Sequence, residues 1–220
     1  MTTGIQVKVW GEYALFSRPE FSTERASYEV MTPSAARGII EAIHWKPAIR
    51  WVIDRIRVLK PIRFDTIRRN EVASKASYSN ARQAARGGPH PYLVADEDRQ
   101  QRAALVLRDV GYVIEAHFEM TAKAGATDNP GKHAEMVRRR IENGQCVYQP
   151  SLGTREFTCF FAPPEAEDLT QVDQTLDHRR ELGPMLHDID FDDGMTPRFF
   201  PAVLDRGVLT VPPFQPRRRA

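Results

Sequence analysis

From Ile5 to Phe16 the chain reads "IQVKVWGEYALF", with Ile5, Val7 and Val9 alternating against Gln6, Lys8 and Trp10. That period of two predicts a half-buried strand. The period then lengthens. Thr32 is an N-cap candidate, and Pro33 suits the first helical position, where its missing N–H costs nothing. Ala36, Ile39, Ile40 and Ile43 follow at helical spacing, and Pro47 sets the expected end of the helix. "AIRWVIDRIRVLKPIRF" predicts a second strand, with Val52, Ile56 and Val58 on one face and Asp54 interrupting it. "RAALVLRDVGYVIEAHFEM" predicts two strands joined at Asp109–Gly111, because Asp and Gly favour a hairpin turn. "NPGKHAEMVRRRIENG" predicts a second helix, with Met136, Val137 and Ile141 on its apolar side and Gly144 as its stop. "REFTCFFAPP" predicts a further strand.

Two stretches resist this reading. Residues 65–104 are polar, rich in Arg and Ala, and carry Gly-Gly-Pro-His-Pro near their middle, as expected of a long mobile insertion. Beyond Pro163 the chain is acidic and rich in loops, with short strand candidates at 199–204 and 207–211 and a frayed basic tail, "PRRRA". The order strand, helix, strand, insertion, strand, helix, strand is that of an α+β, ferredoxin-like βαββαβ domain. The expected organisation is such a domain over 1–163, interrupted at about 65–104, and a small loop-rich, β-containing extension over 164–220. RNA-recognition modules use this layout, as do many unrelated proteins.

Charge sharpens the picture. Residues 165–193 hold ten acids against two arginines, whereas residues 1–164 hold 24 Lys and Arg against 18 Asp and Glu. A basic body beside an acidic segment points to a polyanionic partner for the body. No apolar run is long enough to span a bilayer, and "MTTGIQVKVW" lacks the continuous apolar region of a signal peptide. The two cysteines, Cys146 and Cys159, are too few for a disulfide scaffold or a zinc site, so a reducing cytoplasm is expected. No spacing of His, Cys and carboxylates suggests a metal, and no cofactor is expected.

The candidate chemistry centres on Lys132 and His133. They stand together at a helix start, where unpaired N–H groups favour an anion such as phosphate. His44 closes the first helix, and in a ferredoxin-like fold both helices lie on one side of the sheet. A histidine pair there could act as base and acid near neutral pH, with the lysine as a fixed cation. The other reading of His44 is a stacked or capping histidine at the helix C-terminus. Trp45 could stack on a base, with Lys46 beside it. Lys60, Arg63, Arg68 and Arg69 form a basic run suited to phosphates, although a solvated face would look the same. Gly153 and Arg155, in "LGTRE", would let backbone and guanidinium approach a polyanion, or simply form a turn.

"VWGEYALFSRPE", "YEVMTPSAARGIIEAIHWKPAIRWVIDRIRVLKPIRF", "RRNEV", "NPGKH" and "LGTREF" together resemble the CRISPR-associated Cas5 family of the RAMP superfamily, and within it the d-type branch of subtype I-C. The resemblance runs from about Ile5 to Pro163 and more weakly beyond. It implies a metal-independent pre-crRNA endoribonuclease. Such an enzyme cuts at the 3′ base of the repeat hairpin by 2′-OH attack, leaving a 2′,3′-cyclic phosphate. It then stays on the 5′ handle as a subunit of Cascade. The implied catalytic group is Tyr, Lys and His. Lys132 and His133 match the last two, while His44 stands where the family has Tyr. Two other readings are a non-catalytic scaffold that holds the RNA handle and a protein that binds double-stranded DNA. No membrane partner is expected.

Overall fold

The computed structural model describes residues 4–21 and 23–214; the basic tail "PRRRA" lies outside them. In chain order the elements are β1 (Gly4–Ala14), β2 (Arg25–Ala26), α1 (Pro33–Ile43), β3 (Ile49–Val58), β4 (Phe64–Val72), α2 (Tyr78–Ala84), β5 (Arg99–Met120), α3 (Pro130–Glu142), β6 (Phe160–Ala162), α4 (Ala166–Thr170), β7 (Arg179–Asp190), β8 (Thr196–Asp205) and β9 (Val208–Thr210). This is a mixed α/β chain built on a largely antiparallel sheet in the order β6-β1-β5-β3-β9-β8-β7, with β2 and β4 also paired to β5. Among the described residues no helix is long and apolar enough to cross a membrane.

The core follows from the alternation. Val7 and Val9 of β1, Ile56 of β3 and Ile114 of β5 are fully buried beneath Ile39, Ile40 and Ile43 of α1 and Val137 and Ile141 of α3. Thr32 caps α1 as expected, its hydroxyl accepting the Ala35 N–H at 3.2 Å. The helix ends at Ile43, three residues before the stretch preceding Pro47 runs out, because His44 turns to extended backbone. On β3 the inward face is Ile49, Trp51 and Ile53, then Ile56 and Val58. A register shift between Ile53 and Arg55 changes the phase at Asp54, so Val52 sits on the opposite face from that predicted with Ile56.

The expected hairpin at Asp109–Gly111 is absent. β5 is one strand of 22 residues that stays in a single register with β1 from Leu107 to His117. Asp109 does take a positive φ of 52°, but its carboxylate receives the Lys60 ammonium at 2.6 Å and the strand continues. At that place β5 changes its other neighbour, from β4 (opposite residues 99–107) to β3 (opposite residues 112–120). The two ends of the predicted insertion, residues 65–72 and 99–104, therefore pair as an extension of β4 and β5, while the residues between them form the short α2 and loops. Beyond Pro163, β7 is an unexpected twelve-residue strand. Two register shifts, between Glu181 and Gly183 and between Leu186 and Asp188, break its alternation and hide it from a period-two reading. β9 pairs with β3 and so joins the β7–β8 hairpin to the main sheet.

Candidate active site

The end of α1 and the start of α3 meet over the β3–β5 edge. His44 is the C-cap of α1, its N–H bonded to the Ile40 carbonyl at 2.8 Å, and its extended backbone sends the side chain inward. Asn129 caps α3 by accepting the Lys132 N–H at 2.9 Å, and Pro130 fills the first turn. Consecutive residues on a helix point about 100° apart. Here that leaves Lys132 exposed and His133 buried.

His44 Nε2 lies 3.3 Å from His133 Nδ1, and the ring centroids are 5.5 Å apart. Both imidazoles are essentially inaccessible, and the ring of Phe118 stands edge-on to His133 at 6.1 Å. Arg140, seven residues along α3 from His133, donates to the Ile43 carbonyl at 2.6 Å and so ties the two helices together. Burial lowers the His44 pKa from 6.5 to about 4, with help from the nearby charges of Arg140, His133 and Lys46. His44 is therefore neutral at pH 7. When His133 donates the shared proton from Nδ1, its Nε2 presents a lone pair on the side of Lys132, which is the arrangement of a base.

Asp128 faces that nitrogen. Its Oδ1 lies 3.3 Å from His133 Nε2 and 3.4 Å from Lys132 Nζ. The Gly125 N–H, bonded to Oδ2, and then Lys132 and His133 hold its carboxyl below the usual carboxylate range. The contact with His133 is off the line of a hydrogen bond, which leaves His133 Nε2 buried without one. His44 Nδ1 is in the same condition.

The structure thus brings together His44, Lys132 and His133. Trp45 and Lys46 follow His44 on the surface, with Trp45 half exposed. The other predicted RNA contacts lie elsewhere. Lys60 and Arg63 flank the turn from β3 to β4, and Lys60 is engaged by Asp109. Arg68 is exposed on β4, opposite Ala103, which is fifteen positions along β5 from the Phe118 beside His133. That is about 50 Å of extended strand. Arg69 pairs with Glu156 and, at 3.4 Å, with Glu71, so it is bound to the turn that carries Gly153 and Arg155. Gly153 has a φ of 90°, and a Cβ there would come 2.0 Å from the Leu15 carbonyl oxygen. Close packing therefore demands this glycine. Arg155 beside it is exposed.

Asp128 and Arg140 were missed in the sequence. Each carries a positional signal: Asp128 precedes the Asn129 cap, and Arg140 is two helical turns from His133. Among the described residues no group of three or more His, Cys, Asp or Glu side chains is placed to hold a metal ion. A cavity of about 570 Å³ lined by Asp54, Glu115, Arg138 and Glu142 lies between the sheet and α3, and it includes none of the predicted site residues.

Comparison with known proteins identifies the family of the chain. The family described as CRISPR-associated protein (Cas_Cas5), d-type, matches residues 4–212. A Mannheimia succiniciproducens protein named CRISPR pre-crRNA endoribonuclease Cas5d is 54% identical over 219 residues, covering 97% of each chain. A Thermus thermophilus protein of the same name is 46% identical over 187 residues, covering 85% of this chain and 73% of that one. A solved structure titled as a CRISPR-associated protein superposes with a TM-score of 0.69 at 25% identity, covering 94% of this chain and 90% of the other. With a family match across nearly its whole length and relatives this similar, the chain belongs to the Cas5d family of CRISPR-associated proteins.

Proposed function

We propose that this chain is a pre-crRNA endoribonuclease of the cytoplasm. It cuts CRISPR repeat RNA at the 3′ base of the hairpin without a metal ion, and stays on the 5′ handle as a subunit of a type I-C Cascade. The names and identities of its relatives support the activity. The observation that carries the site is the buried contact between His44 and His133 beside the exposed Lys132. The strand order β6-β1-β5-β3, with α1 and α3 packed over it, supports a ferredoxin-like reading of the RNA-binding body. Residues 164–220 then form its extension.

In this reading the ribose 2′-hydroxyl attacks the adjacent phosphorus in line and expels the 5′ oxygen, leaving a 2′,3′-cyclic phosphate. His133 Nε2 takes the hydroxyl proton. Lys132 Nζ stabilises the charge that builds on the phosphorane oxygens. His44 lies behind His133 and is neutral, so it does not reach the RNA. It is a positioning residue that holds the tautomer and orientation of His133, and water protonates the leaving oxygen. This replaces the base-and-acid pair expected from the two histidines, because His44 is neutral at pH 7 and meets His133 at Nδ1, away from the Nε2 that faces Asp128 and Lys132. Trp45 and Lys46 line the rim, and the cations on β4 and the β3–β4 turn follow the RNA backbone.

The test is cleavage of the host's own repeat RNA by the purified protein in EDTA, with analysis of the product's 3′ end. His133→Ala should cut slower by ~10²–10⁴-fold. Wild-type rates in that variant, or a strict need for a divalent ion, would sink the mechanism. Tight handle binding with no product would favour a scaffold, and product-free binding to any duplex would favour a DNA-binding protein.

A further inference from the structure

The turn that precedes α3 already contains an anion. Asp128 Oδ1 lies within reach of both Lys132 Nζ and His133 Nε2, at 3.4 and 3.3 Å. His133 Nε2 is sealed from solvent there, yet it makes no hydrogen bond. A carboxylate that served to orient the imidazole would lie on the N–H line at a shorter distance. This one does neither. Its firmest tie is to its own turn, through the Gly125 N–H at 3.1 Å.

We infer that Asp128 occupies the seat of the scissile phosphate in the free protein, so that RNA must displace its carboxylate to reach Lys132 and His133. This rests on the reading of those two residues given above. A phosphodiester carries the same single negative charge as the carboxylate, so the exchange leaves Lys132 neutralised throughout. The turn is built to allow the movement. Residues 122–127 are exposed, and Thr121 anchors one end through its hydroxyl to the Pro47 carbonyl (2.6 Å) and its N–H to the Ala48 carbonyl (2.9 Å). The Asn129 cap anchors the other end. Between these anchors the bonds to described residues are local: Ala124 to Thr121, Lys123 to Thr121, Gly125 with Asp128, and Lys132 to Thr127 and Asp128. The displaced carboxylate can swing into water while both ends stay fixed.

The experiment measures binding and cutting separately. Binding uses repeat RNA with a 2′-deoxy sugar at the cut site, which cannot react. Asp128→Asn and Asp128→Ala should bind it about three- to fivefold tighter, the scale of one exposed charge contact. Their kcat on normal RNA should stay within about threefold of wild type. Glu135→Gln removes the same charge from an exposed position two residues further along α3 than His133. It should leave binding nearly unchanged. Three results would overturn the inference: no tightening in the Asp128 variants, an equal tightening in Glu135→Gln, or a loss of kcat of tenfold or more with binding unchanged, which would make Asp128 an orienting group. The underlying site assignment fails by a different result, wild-type cutting by His133→Ala.

Discussion

The indole N–H of Trp51 on β3 donates to the main-chain carbonyl of His44 at 2.8 Å, so β3 holds the residue that caps α1. Trp51 is buried and stacks edge-on with Phe118, whose other neighbour is His133. One aromatic side chain thus fixes the backbone of one histidine and backs the ring that supports the other.

Trp51→Phe keeps most of the packing and removes the donor. A buried carbonyl left unpaired costs about 1–3 kcal/mol. The variant should melt several degrees lower. At a temperature where it is fully folded, it should cut repeat RNA more slowly while binding it normally. Unchanged cutting in a destabilised protein would show that this hydrogen bond serves stability alone.

His44 gives the protein an acid limit. Its pKa is about 4 in the folded chain and near 6.5 when unfolded, so between those values the unfolded state binds more protons. The stabilising contribution of keeping His44 neutral is complete above about pH 6.5. It is lost progressively as pH falls toward 4, on the order of 1–3 kcal/mol in all. His44→Gln cannot titrate, yet it can reach His133 from its terminal amide. It should flatten stability between pH 6.5 and 4 and retain more cutting activity than His44→Ala, as measured by chemical denaturation across pH and by rates at pH 7. Equal activity in the two variants would remove the positioning role.

Arg68 and Arg69 are neighbours in sequence with opposite situations. Arg68 is exposed, whereas Arg69 is held by Glu156 and Glu71. If β4 lies along RNA, Arg68→Ala should lower the slope of log affinity against log salt by ~0.7 for a phosphate contact on a single strand. Arg69→Ala should change that slope less and loosen the turn at 151–158 instead. A salt slope untouched by Arg68→Ala would take β4 out of the interface.

The sequence made the first helix, its cap and the first strand legible, because Thr32, Pro33 and the alternation from Ile5 are local signals that the packing reinforces. It also placed His44 and His133 at facing helix ends, which topology converts into contact. It misread β5, since Asp109 and Gly111 carry turn chemistry that pairing with β1 on both sides overrides. It missed β7, whose register shifts and Pro184 disguise a strand. The burial of His44, and with it the division of labour between the two histidines, depends on what α3 and β3 lay across it. Such long-range contacts leave no periodic trace.

β5 belongs to two neighbourhoods at once. Its C-terminal half runs through the core between β1 and β3, while its first residues pair with β4, which has no buried residue, and the α2 that follows β4 has none either. A single strand therefore spans two cooperative units with different opening free energies. Deuterium should enter the amides of residues 99–103 by local fraying, long before it enters those of 112–118, which wait for global unfolding. The outer arm can reshape itself around a partner without disturbing the two histidines at the far end of the same strand.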